Sequence, residues 1–187
     1  MTHRRLLTIV PMGLLLVLAL GLIPVALSSF SGATSVRSNS FGAGSVGLGD
    51  DDAGAAMFSV SSLQPGSSGS QCIAVSYTGS LPAQVRLFVR SGDLTGSGPA
   101  RYLTISVSEG SGGGFGSCTG FTASATDYNG TLNDFAAAAT DWGSGVGSFS
   151  PAGPGQTRVY RIAYTLTGGA AAAGLAAQVQ FTWAAQG

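Results

Sequence analysis

The chain has 187 residues, enough for one domain and short for two. Charged residues make up only 9 % of it, far below the roughly 25 % of an ordinary soluble protein, while 44 % are hydrophobic and 30 are glycine. Formal net charge is zero and there is no basic cluster, which argues against nucleic acid and anionic membrane surfaces as partners.

The first residues read as an export leader. His3, Arg4 and Arg5 form a positive start, and an apolar run from Leu6 to Leu27 comes next, interrupted only by Thr8, Pro11, Gly13, Gly21 and Pro24. Positive charge ahead of an apolar run holds the N-terminus in the cytoplasm and sends the downstream chain across the membrane. Ala26-Leu27-Ser28 fits the small-x-small pattern of a cleavage site, which places signal cleavage at Ser28 or Ser29. The run, of about 22 residues, is also long enough to span a bilayer. Residues 1–28 are therefore a signal peptide or a membrane anchor, and in both cases the rest of the chain is secreted or displayed at the cell surface. Any membrane contact runs through this N-terminal segment. Without the leader, six arginines face eight acids, a net charge of −2, and such weak self-repulsion favours self-association.

Residues 29–39 form a short stretch with few charges and no proline, and a β-domain is expected over residues 40–187. Apolar and polar residues alternate with the period of half-buried strands at Val85, Leu87 and Val89, at Leu103, Ile105 and Val107, and at Tyr160, Ile162, Tyr164 and Leu166. A terminal strand is expected over Val179, Phe181 and Trp183. Weaker candidates are Phe41–Leu48, Met57–Val60, Cys72–Tyr77 and Val146–Phe149. Turn formers separate them: Pro65-Gly66-Ser67, Thr78-Gly79-Ser80, the run Ser91–Pro99, Ser111–Gly114, Asn129-Gly130 and Pro151–Gly155. Asn129-Gly130-Thr131 also matches the N-glycosylation sequon, but the turn is the plainer reading. A helical turn fits Leu132–Ala139. The pattern predicts an all-β fold, a jelly-roll-like β-sandwich of about eight or nine short antiparallel strands.

The exported part contains two cysteines, Cys72 and Cys118, and an even count in an oxidising compartment favours a disulfide. No CxxC motif or nearby histidine suggests a metal site. The only histidine is His3 in the leader, which removes Ser-His-Asp and Cys-His catalysis and histidine-based zinc sites from the exported domain. The eight acids sit mostly beside Gly, Ser or Asn in turn-like sequence, and no pair stands out as an acid/base couple. Asp50-Asp51-Asp52 lacks the alternating spacing of a calcium loop and reads as a solvated loop. No enzyme activity, catalytic residue, cofactor or metal is expected.

Four segments in order resemble the TasA/camelysin family of exported bacterial proteins. Ser29-Phe30-Ser31 is similar to that family's aromatic-led mature start. Residues Asn39 to Leu48 resemble its F-x-A-G-x-L-x-L strand. Leu63-Gln64-Pro65-Gly66 resembles its L-x-P-G turn, and Tyr77–Leu81 followed by Ala83–Val89 resembles its "N-x-G-S/T, then strand" segment. The terminal strand Val179–Trp183 completes the pattern, and Gly32 stands where family members often carry an acid. The resemblance covers residues 1–90 well and the remainder in outline. It implies a jelly-roll sandwich, export through a signal peptidase, and matrix fibres in which the N-terminal segment of one subunit completes the sheet of the next. Here that segment is Phe30–Asn39, and the residues expected to carry assembly are Phe30, Val36 and Phe41. The metalloprotease activity carried by the name camelysin finds no ligands in this sequence.

The expected function is thus a self-assembling extracellular-matrix (biofilm) protein whose partners are itself and other envelope or matrix components. The alternative is a membrane-anchored surface binding module for a glycan or a partner protein, with Trp142 and Tyr128 as contacts unless those rings fill the core.

Overall fold

The computed structural model describes residues 44–58, 63–168 and 177–187. The fold is all-β and sandwich-like, with nine strands and two short helices among the described residues. Five strands form the larger layer: β1 (Leu48–Asp50), β2 (Ser68–Tyr77), β7 (Thr157–Leu166), β5 (Leu103–Ser111) and β6 (Thr122–Thr131), in that spatial order and all antiparallel. The opposing layer pairs β3 (Gln84–Phe88) with β9 (Thr182–Gln186), and β4 (Leu94–Thr95) with β8 (Gln178–Val179). Residues 146–151 run along the second edge of β3, where Val85 N–H donates to Phe149 O and Leu87 exchanges backbone bonds with Val146.

Period-2 alternation assigns the faces. Ile73 and Val75 in β2, Tyr160 and Ile162 in β7, and Ile105 and Val107 in β5 all point inward. Against them pack Leu87, Phe88 and Val89 from the smaller layer, with Leu132 and Phe135 of α2 (Leu132–Ala138) closing one end. Each fully buried aliphatic or aromatic side chain contributes about 1.5–3 kcal/mol. Helix α2 begins where Thr131 Oγ1 accepts from Asp134 N–H at 3.1 Å, and Asp134 places a negative charge in the first turn, where the helix dipole favours it. A single turn of helix, α1 (Ser97–Ala100), leads into β5.

Strands β3, β5 and β7 fall where alternation places them, and β2 covers the weaker candidate Cys72–Tyr77. Five expectations need correction. Asn129-Gly130 is not a turn: both residues lie inside β6, paired with Ser106 and Ile105. Of the candidate strand Phe41–Leu48, residues 41–43 lie outside the described part, residues 44–47 lack regular pairing with the Ser45 carbonyl accepting from both Ser80 and Leu81, and the described strand β1 starts at Leu48. Met57 and Phe58 lie outside the strands and pack against the core as side chains; residues 59 and 60 are outside the described part. Residues 146–149 lie along β3 through one isolated bridge and do not form a full strand, because Gly147 at φ +113° breaks the extended run. The terminal strand is split at Gln180 and Phe181, where Gln180 N–H donates to Asp93 O and Phe181 turns onto Phe135.

Candidate functional site: a groove between two unpaired edges

The two layers are unequal in width, and the difference creates the main cavity. The five-stranded sheet ends at β1, and the smaller layer ends at β9. Among the described residues, no strand pairs with the second edge of either. Between these edges lies a cavity of about 900 Å³. Ile73, Val75, Ile105 and Ile162 form its floor. Leu48 and Asp50 of β1 stand on one wall, with Val179, Thr182 and Trp183 on the other. Phe58, meeting Tyr164 edge-on with ring centroids 5.4 Å apart, lines its far end.

The third edge, β6, is built differently. Val107 pairs with Tyr128 and Ser108 with Thr126, so Asp127 is an extra residue in β6, and a second register shift leaves Ser124 extra as well. Two bulges twist that edge away from further pairing, a standard protection of exposed strands. Strand β9 (Thr-Trp-Ala-Ala-Gln) has no charge, proline or bulge, so its free edge lacks such protection.

The outer face of the large sheet is covered by the β5–β6 connection, residues 112–121. Cys72 and Cys118 form a disulfide with Cα atoms 5.2 Å apart, and Cys72 is fully buried although it points away from the core. Asp51 ties the same connection down: its carboxylate accepts from Ala74 N–H at 2.8 Å and Phe115 N–H at 2.7 Å. The Arg161 guanidinium sits 5.4 Å from the Phe121 ring centroid. This strap therefore joins β2, β7 and the loop after β1.

A buried polar cluster lies inside the sandwich. Glu109 faces the core, only 1 % exposed, and accepts from Ser148 through both N–H and Oγ. Tyr160, its register partner in β7, is fully buried, meets Trp183 at a tilt with ring centroids 5.6 Å apart, and among the described residues its hydroxyl has no hydrogen-bond partner. Burial, then the charges of Glu109 and Asp127, push the Tyr160 phenol well above its ordinary range. Asp127 is pushed up to about 6, first by burial and then by Glu109, with Arg158 and Arg86 partly offsetting this. Arg158 lies 5.4 Å from the Phe149 ring centroid and donates from Nη1 to Ser124 Oγ at 3.3 Å. Glu109 and Asp127 thus lie within strands, contrary to the expectation that the acids sit mostly in turns. The signal for Glu109 was its place in the Leu103, Ile105, Val107 alternation, which assigns it an inward position.

Of the residues expected to carry function, Cys72 and Cys118 are brought together as the disulfide. Ser28, Ser29, Phe30, Val36 and Phe41 lie outside the described residues. Trp142 is half-buried and donates from Nε1 to Gln84 O at 3.1 Å, while Tyr128 packs edge-on against Phe135 and donates to Thr131 O. Both rings therefore belong to the packed body rather than to a free aromatic platform. Asp50 and Asp52 accept within their own turn, from Asp52 N–H and Gly54 N–H, and among the described residues no group of three or more metal-ligating side chains is found. No described helix is long and apolar enough to cross a membrane. The chain matches no protein-family model and no curated protein.

Proposed function

We propose that the chain is a secreted or cell-surface structural protein that self-assembles into extracellular fibres by strand addition, with no enzymatic role. The observation that carries this reading is the uncharged edge of β9, unpaired among the described residues, beside a largely apolar cavity. An extended segment entered there would gain backbone hydrogen bonds along an edge and bury alternate side chains against Ile73, Val75, Ile105 and Ile162. The donor in this proposal is Phe30–Asn39 of a neighbouring copy, with Phe30 and Val36 as apolar residues within it and Phe41 just beyond it. A segment of one subunit fitting the edge of another makes a heterologous contact, which continues into a filament where the rotation does not close. The resemblance to the TasA/camelysin family, and a jelly-roll-like wiring of the two layers, belong to the same proposal. The disulfide is in keeping with an oxidising, extracellular location.

The test is to express the chain from Phe30 and, separately, from Ser40, and to compare both by sedimentation and electron microscopy. Fibres are expected only from the first; equal fibres from both would remove strand donation. A second reading, a monomeric surface-bound module for a glycan or protein, draws on the cavity itself, whose volume falls within the ~300–1,000 Å³ of ligand sites. A chain that stays monomeric at high concentration while binding such a partner would favour it.

A further inference from the structure

We infer that a single ordered water molecule is bound inside the sandwich beside Gly147, where it joins the Tyr160 hydroxyl, the Glu109 carboxylate and the Val85 carbonyl. This site is separate from the groove, and it holds whether or not subunits add strands to one another.

The site begins as a fault in a ladder. Leu87 and Val146 exchange both backbone bonds. In a regular antiparallel pair the next exchange falls two residues along each chain, between Val85 and Ser148. That exchange is missing. Val85 N–H donates one residue further on, to Phe149 O, and Ser148 N–H turns instead to Glu109 Oε2 at 3.1 Å. The extra residue is accommodated at Gly147, whose φ of +113° favours glycine. Val85 O is left without an amide donor from residues 146–151. The other two groups come from the large sheet, where Glu109 and Tyr160 are register partners pointing inward. Tyr160 is 0 % exposed, and its hydroxyl has no partner among the described residues. Burial, then the charges of Glu109 and Asp127, keep that phenol protonated, so it is a donor in want of an acceptor. Glu109 Oε2 accepts from Ser148 N–H, and a carboxylate oxygen takes about two such bonds.

The three groups surround one small space. At the ideal Cβ position of Gly147 the nearest atoms beyond its chain neighbours are all oxygens: Val85 O at 3.5 Å, Tyr160 Oη at 3.6 Å and Glu109 Oε2 at 3.9 Å. Glycine leaves that space open. Val85, Gly147 and Ser148 also line a cavity of about 260 Å³, so solvent has room beside it. A buried water makes about three hydrogen bonds to polar groups that the chain leaves unsatisfied. Here it accepts from Tyr160 and donates to Glu109 and Val85, and each group receives the kind of partner it lacks. A hard cation suits the set less well. It would draw its oxygens in to about 2.3–2.6 Å and offer the phenol proton no acceptor. The water thereby ties together β5, β7 and the β3 edge at the point where their direct ladder fails.

The experiment compares Tyr160→Phe with the parent, both as the full oxidised chain in urea at pH 7. Phenylalanine keeps the ring against Trp183 and deletes only the hydroxyl. With the water in place the variant strips it of a donor, and the urea midpoint falls by about 0.3–1 M. A hydroxyl with no water partner is an unmet buried donor, so its deletion leaves the midpoint unchanged or raises it, and that result overturns the inference. The parent is also unfolded in equal concentrations of sodium chloride and choline chloride. Equal midpoints are expected; a higher midpoint in sodium assigns the space to a cation and overturns the water. A crystal structure of the parent decides the matter even where Tyr160→Phe does not fold. It should show one solvent oxygen within about 3.2 Å of Tyr160 Oη, Glu109 Oε2 and Val85 O together. Density lacking there, or Tyr160 Oη bonded directly to protein, overturns the site.

Discussion

The replacement Asp127→Asn isolates the cost of ionising a half-buried carboxylate at the bulged edge strand β6. Asp127 titrates near 6 in the folded protein instead of 3.8, because burial and the charge of Glu109 outweigh Arg158 and Arg86. A shift of about two units corresponds to roughly 3 kcal/mol at 1.36 kcal/mol per unit. Asp127 is only partly buried, so solvent screening reduces this to about 1–2 kcal/mol. The sign depends on which state holds the proton. Between about pH 4 and 6 the unfolded chain has released the proton while the folded chain keeps it, so stability falls as pH rises through that window. Above it the penalty is complete. Asp127→Asn removes the charge at every pH. The variant should be more stable than the parent by about 1–2 kcal/mol at pH 7.5, or about 2–8 °C in Tm, with the gain fading below pH 4. Urea unfolding followed by tryptophan fluorescence at pH 3.5, 5 and 7.5 measures this, since Trp183 packs at a tilt against Tyr160 within the same cluster. An unchanged m-value assigns the effect to the folded state. No gain at pH 7.5, or an equal gain at pH 3.5, would refute the reasoning.

Three further outcomes are expected. Replacing both Cys72 and Cys118 by serine releases a closure of 46 residues and should cost about 4 kcal/mol in the chain-entropy model, read as a lower urea midpoint, with non-reducing peptide mapping to verify the bond in the parent. Gly110→Ala should destabilise by about 2 kcal/mol or more, because its Cβ would lie 2.0 Å from Thr122 O at the bulge, whereas Gly153→Ala, with nothing within 4 Å, should be nearly silent. Glu109→Ala leaves the Ser148 N–H and hydroxyl without their acceptor and should cost about 1–3 kcal/mol, while Glu109→Gln, which keeps an acceptor oxygen, should retain much of the stability; thermal unfolding compares them.

The central strands were legible because their surroundings are simple. Strands β2, β5 and β7 pack one face on the core, so apolar residues recur every second position. Strand β6 was not legible. Its residues, Thr122–Thr131, are mostly polar, sit at an edge, and are broken by two bulges, so no alternation survives and Asn129-Gly130 looks like a turn. The disulfide could be read from the even cysteine count. The strap it fastens could not, because that depends on residues 112–121 folding back over the face that carries Cys72. The groove is likewise a product of tertiary arrangement: it exists because two layers of unequal width leave β1 and β9 without a further paired strand among the described residues, and no local pattern encodes that inequality. Glu109 shows the reverse case, since the strand period already pointed it inward while its charge suggested the surface.

The bond between Cys72 and Cys118 also has a mechanical consequence. Tension applied between the two ends of a subunit passes from residue 72 to residue 118 through sulfur, so the 46-residue span between them carries no load. That span includes all of β3, β4 and β5. If a subunit were pulled open within a fibre, it would lengthen by about 150–165 Å less than an uncrosslinked chain of the same length. Force-extension curves of the oxidised and reduced protein would differ by that contour length, with the strapped sheet acting as a built-in limit on stretch.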